Sequence, residues 1–338
     1  MYRKEIENIN SVIEKTGKAI AVFGCSWAEG QGAIPMEILE NYEYVCPRPG
    51  INFDINFTND QEKEELLKKY KDIEIYPDGN LNYHYLERKN SVVSVLCNKY
   101  FNNEYAAINF GLSGHGNKAS IKQIYFYPQI HWHLIKELVV VYLPSDPARF
   151  SFVNDEFKDH FKFTTMWPHP GAQKGSRNNL WTGYANSIHS NKFSYLEAIA
   201  DVNELINWAN NFNHKLIIFP AFTSYAIDNF YKNILTNITR HSETLEITRN
   251  FKIENQQEIN ELTNIINKKW PWDNMWEPEG FPQWSSLLES NEDSKISYSD
   301  YVGKGSPKKW ITPCMHPSAR AHNDLAKRLH KYITTELK

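Results

Sequence analysis

Uninterrupted apolar runs alternate with amphipathic stretches along this chain. Residues 19–23 read Ala-Ile-Ala-Val-Phe, 105–110 Tyr-Ala-Ala-Ile-Asn-Phe, 138–143 Leu-Val-Val-Val-Tyr-Leu, and 215–219 Lys-Leu-Ile-Ile-Phe. Runs this short and this apolar suit strands covered on both faces. Residues 243–248 offer a fifth strand. Helical spacing fills the intervals. Ile6, Ile9, Val12 and Ile13 share one face over 3–15, with Gly17 as a stop. Val92, Val95, Leu96 and Tyr100 do the same over 91–101, and a further helix is expected over about 118–134. Leu196, Ile199, Val202, Leu205, Ile206 and Ala209 mark a helix over 194–211. The last helix spans about 318–336, with Ala321, Leu325, Leu329, Tyr332 and Ile333 inward and Ser318 as its N-cap.

Strands alternating with helices predict a three-layer α/β/α fold, a flavodoxin-like parallel sheet of about five strands. Right-handed crossovers then bring the turns after successive strands to one edge of the sheet. Ser26, the turn over 111–117 and the turn over 144–149 meet at that rim. Three irregular, aromatic-rich segments interrupt the pattern: about 31–90, 150–192 and 254–310. The first contains a charged run, 61–69, that reads as a solvated helix, and the second reads as a long loop or partial lid. No internal repeat or low-complexity linker divides the chain, so 1–338 is read as a single domain carrying insertions.

Composition narrows the function. The chain has 338 residues, is 41% apolar and carries ten Trp, more indoles than a core needs, so some of them line a surface or cleft. A net charge of −3 gives no footprint for binding a phosphate backbone, and no nucleic-acid partner is expected. The four cysteines, Cys25, Cys46, Cys97 and Cys314, show neither CxxC nor metal-ligand spacing and read as free thiols. The sequence from Met1 to Glu5 leads into no apolar signal segment, and no apolar run reaches membrane-spanning length. The expectation is a cytoplasmic protein with no membrane partner.

Candidate chemistry starts at Gly24-Cys25-Ser26-Trp27, where a buried strand runs into a glycine-flanked turn. Open α/β sheets hold ligands at the carboxyl ends of their strands, and Ser26 sits at one. A serine hydroxyl needs a base within hydrogen-bond reach and donors for the oxyanion it creates. His316, in the turn His316-Pro317-Ser318, is the candidate base. His322, one turn into the helix, reads as a packing residue.

These blocks together resemble the SGNH (GDSL-like) hydrolase superfamily. Gly24-Cys25-Ser26-Trp27 resembles its first block, and Asn109-Phe110-Gly111-Leu112-Ser113-Gly114 its second. His316-Pro317-Ser318 resembles its fifth. The match is to divergent bacterial and phage members, in which Gly-Cys-Ser-Phe/Trp recurs, and virion association is compatible with it. The resemblance implies Ser26 as nucleophile, His316 as base and an oxyanion hole from the Ser26 and Gly114 amides. It implies no metal and no organic cofactor.

The departures are specific. Pro144-Ser145-Asp146-Pro147 stands where the third block should carry an oxyanion asparagine. Asn117 could replace that donor, or could be a turn or capping residue. The usual acid position, three residues before the histidine, holds Pro313. Asp146, Asp300 and Glu29 remain candidates, as does a dyad held by a backbone carbonyl. Cys25 as nucleophile is disfavoured by position, and a thiol there reads as small buried packing. His131-Trp132-His133, with His115 or His169, offers a metal site without standard spacing. Gly111-Leu112-Ser113-Gly114-His115-Gly116 is not a dinucleotide fingerprint, since the required acidic residue is missing.

The expected activity is ester hydrolysis, with O-acetyl or another small acyl group on a carbohydrate as the substrate. Two other readings use the same scaffold: a non-catalytic carbohydrate- or ligand-binding module, and an acyltransferase with the same serine and histidine.

Overall fold

The first helix ends where the sequence says it must. Helix α1 (Arg3–Thr16) buries Ile9 and Ile13, and Gly17 stops it in the left-handed region at φ 67°, its N–H donating to the Ile13 carbonyl at 2.7 Å. Strand β1 (Lys18–Gly24) follows and is buried throughout after Lys18. The computed structural model describes residues 3–45, 54–75, 80–112, 116–143, 150–154, 162–166, 200–201, 204–205, 207–218 and 316–335.

Beyond β1 the chain makes a one-turn helix, α2 (Ser26–Glu29), and enters the first insertion. That segment holds α3 (Met36–Asn41), the antiparallel pair β2 (Glu43–Val45) and β3 (Asp54–Asn56), and the charged helix α4 (Asp60–Lys69). A second antiparallel pair, β4 (Glu74–Ile75) and β5 (Leu81–Asn82), and α5 (His84–Lys89) complete it. Helix α6 (Val92–Val95) widens into a π-turn over Leu96–Tyr100 and delivers the chain to β6 (Ala106–Gly111). Then come α7 (Asn117–Lys122), β7 (Glu137–Leu143), β8 (Phe150–Asn154), β9 (Lys162–Met166), β10 (Lys215–Ile218) and α8 (Ala319–Thr335). Helical backbone at 200–201, 204–205 and 207–211 precedes β10.

Four strands form one parallel sheet in the order β10-β7-β1-β6. In chain order of these strands that is 4-3-1-2, the flavodoxin-like arrangement read from the other edge. The direction of winding reverses between β1 and β7. The register sets Gly24 beside Gly111 on one side and Leu143 on the other, so three strands end level.

Alternation along β1 divides its side chains between two cores. Ala19, Ala21 and Phe23 pack with Ile9, Ile13, Ile121, Val140 and Leu205 on one face. Ile20 and Val22 pack with Val92, Leu96, Leu325 and Leu329 on the other. Helices therefore cover both faces, which makes three layers and explains the unbroken apolar runs. Each fully buried branched or aromatic side chain contributes about 1.5–3 kcal/mol through loss of contact with water. The first insertion has an apolar cluster of its own, in which Ile34, Ile38, Ile55, Leu66 and Leu86 meet.

Three expectations change. The helix over 118–134 is only α7; the chain then tightens into 3₁₀ turns at Gln123–Phe126 and Trp132–Leu134. Pro128 lies between them and cannot donate to a continuing ladder. The stretch 150–192 is not loop throughout, because β8 and β9 pair antiparallel, Phe150 opposite Met166. The helix over 91–101 is α only to Val95. The fifth strand over 243–248 and the insertion over 254–310 lie outside the described residues.

Candidate active site

A small, strained-looking turn is in fact held from every side. Cys25 takes an extended conformation and caps α2, which places Ser26 as the first helical residue. Its side chain is fully buried in the same core as Ile20 and Leu325. The turn closes at Gly30, φ 102°, whose N–H donates to the Ser26 carbonyl at 3.1 Å. The Gly24 N–H donates to Ser120 Oγ at 2.6 Å, and the Leu112 N–H to the Gly24 carbonyl at 3.0 Å. Helix α2 lies directly on β6. A Cβ at Gly111 would stand 2.2 Å from the Glu29 nitrogen.

His316 arrives from the far end of the chain. Its Nε2 lies 2.9 Å from Ser26 Oγ, across 290 residues of sequence. Both side chains are inside the protein, Ser26 6% and His316 7% exposed. The geometry follows from the start of α8. Ser318 Oγ accepts the Ala321 N–H at 3.4 Å, and the Ser318 carbonyl accepts the His322 N–H at 3.0 Å. His322 is buried completely, and its Nδ1 accepts the Val92 N–H at 3.1 Å, pinning α8 to α6. Burial, with His316 next to it, pushes the His322 pKa down to about 3. With His316 protonated on Nδ1, its Nε2 accepts the Ser26 O–H; that is the base-and-nucleophile arrangement of an activated serine.

Behind the serine lies a polar network that the sequence reading did not find. Glu29 Oε1 lies 2.8 Å from His84 Nε2 and 3.3 Å from Arg88 Nη1. Arg88 also donates from Nε to Glu5 Oε1 at 2.8 Å and from Nη2 to the Asn109 carbonyl at 2.9 Å. Asn109 Nδ2 donates to the Glu29 carbonyl at 3.0 Å and to Ser91 Oγ at 3.1 Å, while its Oδ1 accepts the Gly111 N–H at 2.9 Å. Burial opposes the charge on Arg88, and Glu5 and Glu29 more than offset it, so its pKa rises. Burial likewise opposes a charge on His84, and the Glu29 carboxylate outweighs it, so that pKa also rises. The one available signal was Asn109, a polar residue inside an otherwise apolar strand; nothing in the spacing marks His84 or Arg88.

The structure thus brings together Ser26 and His316 and gives Glu29 other partners. Glu29, one of the acids considered for His316, spends its carboxylate on His84 and Arg88. Gly114, Ser145, Asp146 and Asp300 lie outside the described residues, as does the side chain of Asn117, whose backbone starts α7. Among the described residues no cluster of three or more His, Cys, Asp or Glu side chains is arranged to hold a metal ion. No described helix is long and apolar enough to cross a membrane.

Fold and site define a doubly wound α/β protein with a buried serine–histidine pair at the switch point of its sheet. No family model matches the chain, and no curated protein matches it.

Proposed function

We propose that the protein is a serine-dependent ester hydrolase of the SGNH type, removing O-acetyl or another small acyl group from a carbohydrate. The observation that carries this reading is the 2.9 Å contact between Ser26 Oγ and His316 Nε2. The blocks around Ser26, Gly114 and His316 support it by their resemblance to that superfamily, and the α/β/α scaffold suits it.

The chemistry balances without a cofactor. Ser26 Oγ attacks the ester carbonyl carbon as its proton passes to His316 Nε2. The carbonyl oxygen becomes an oxyanion, met by the Ser26 amide in the first turn of α2 and by the donors that the resemblance assigns, the Gly114 amide and Asn117. Collapse expels the sugar alkoxide, which takes the proton from His316 and leaves an acyl-serine. Water then attacks the acyl carbon, giving its proton to His316; the acid departs and Ser26 recovers its proton. The neutral His322 matters here, since a charged neighbour would oppose the imidazolium that His316 becomes.

Hydrolysis of short-chain p-nitrophenyl esters is the direct test. Ser26→Ala and His316→Ala should each lower kcat/KM by at least about 10³-fold. Covalent labelling of Ser26 by a fluorophosphonate should vanish in the alanine variant. Equal rates in wild type and both variants would remove Ser26 as the nucleophile.

A further inference from the structure

A cavity of about 310 Å³ opens at the carboxyl end of β6, beside the serine turn. Its walls include Glu29, His84, Arg88, Gln123 and Tyr127, with Gly111 and Leu112 as the floor next to the strand. Glu29 ends the helix that begins at Ser26, and Leu112 is bonded to Gly24, so the cavity and the serine turn share a wall. Its volume lies at the small end of the range of about 300–1,000 Å³ found for small-molecule pockets.

Gln123 lines this cavity and is 6% exposed. Its side-chain amide makes no hydrogen bond among the described residues and is not sealed from solvent, so it can both donate and accept inside the cavity. An anion is a poor candidate. Three donor nitrogens of Arg88 are already committed to Glu5, Glu29 and the Asn109 carbonyl, and the Glu29 carboxylate faces the same space. Tyr127 adds an aromatic surface, its ring 5.7 Å from that of Phe110, which stacks on Trp132. Mixed donors and acceptors beside an aromatic ring, with both Arg88 and His84 set against the Glu29 carboxylate, fit a ring bearing several hydroxyls.

We infer that this cavity is a subsite for a neutral sugar ring, with the Gln123 amide as the residue that selects it. The link to catalysis rests on the esterase reading; the binding itself does not.

The test measures binding to the full chain carrying Ser26→Ala, so that no turnover is required. Glucose, galactose, mannose and N-acetylglucosamine are titrated by calorimetry and ligand-detected NMR, with glucuronate as the anionic control. At least one neutral sugar should bind, and glucuronate should bind more weakly than glucose. Adding Gln123→Leu should weaken the neutral sugar about tenfold, the loss of one hydrogen bond. Gln123→Met, which keeps the length and lacks the amide, serves if the leucine variant does not fold. Binding of none of the four sugars, affinity unchanged in the Gln123 variants, or glucuronate binding as well as glucose would each overturn the inference. Sugar binding without ester hydrolysis in the wild type would strike the esterase reading alone; hydrolysis without sugar binding would strike this one alone.

Discussion

Glu87, bonded to the Gly32 N–H, and His322, beside His316, answer to pH in opposite senses. His322 is neutral in the fold because burial and His316 depress its pKa, so acid weakens the protein as the unfolded chain takes up a proton between about pH 6.5 and 3. Glu87 is the reverse case. Burial pushes its carboxyl up to about 7, only partly countered by the Gly32 N–H that donates to its Oε1 at 2.8 Å. From about pH 4.5 to 7 the unfolded chain has released this proton and the folded chain has not, so stability falls as pH rises and stays lowered above 7. Glu87→Gln keeps an acceptor for Gly32 and removes the titration. Urea unfolding should find it level with wild type near pH 4.5 and more stable by up to about 3 kcal/mol at pH 8. Taking the difference between the two proteins cancels the contribution of His322. A difference that does not change with pH would mean that the fold leaves Glu87 with an ordinary carboxyl.

The parallel strands were legible in the sequence because burial on both faces leaves no polar alternation to misread; β1 and β7 are the clearest cases. Helix α8 was legible for another reason, its apolar stripe from Ala321 to Ile333 and the cap at Ser318. Helix α7 was overextended because apolar spacing continues past Lys122, while the proline that ends the ladder comes six residues later. In the hairpin of β8 and β9, Phe150-Ser151-Phe152 alternates at the strand period, but the aromatic content of the segment reads equally as a loop or lid. What spacing could not convey is how closely α2 rides on β6. At Gly111 an added methyl would fall 2.2 Å from the Glu29 nitrogen and 2.5 Å from its Cα, both backbone atoms that no rotamer change can move. Gly111→Ala must therefore shift the helix that starts at Ser26. The expected cost is at least about 1–3 kcal/mol in urea unfolding. Ester hydrolysis should fall with it at temperatures where the variant is still folded, because the serine moves relative to His316. Full activity in a destabilised Gly111→Ala would show that α2 adjusts without disturbing Ser26.

Across the whole molecule, one side chain ties the first insertion to the sheet and to the helices beside it. Arg88 belongs to the insertion, yet it bonds to Glu5 of α1, Glu29 of α2 and the Asn109 carbonyl of β6. Four elements far apart in sequence thus fix one another through a guanidinium that is 4% exposed. No sequence pattern announces this, because the partners share no spacing; only the fold assembles them, while Ser26 and His316 could be read singly from the turns that hold them. Removing Arg88 takes a cation from the Glu5 carboxylate and leaves His84 to face Glu29 without it. Arg88→Met should cost about 3–5 kcal/mol, the range for breaking a buried ion pair by deleting one partner. The loss comes mainly from stranded charge rather than lost contact, since methionine keeps much of the apolar stem. Adding Glu5→Gln and Glu29→Gln to Arg88→Met should therefore recover a substantial part of that stability, as neutral networks avoid the cost of solitary buried charges. Urea unfolding of the single and triple variants measures the recovery, and ester hydrolysis by the same proteins follows the position of α2. A triple variant no more stable than Arg88→Met would mean that Arg88 joins the insertion to the sheet by shape and hydrogen bonding, with charge neutralisation a minor part of its role.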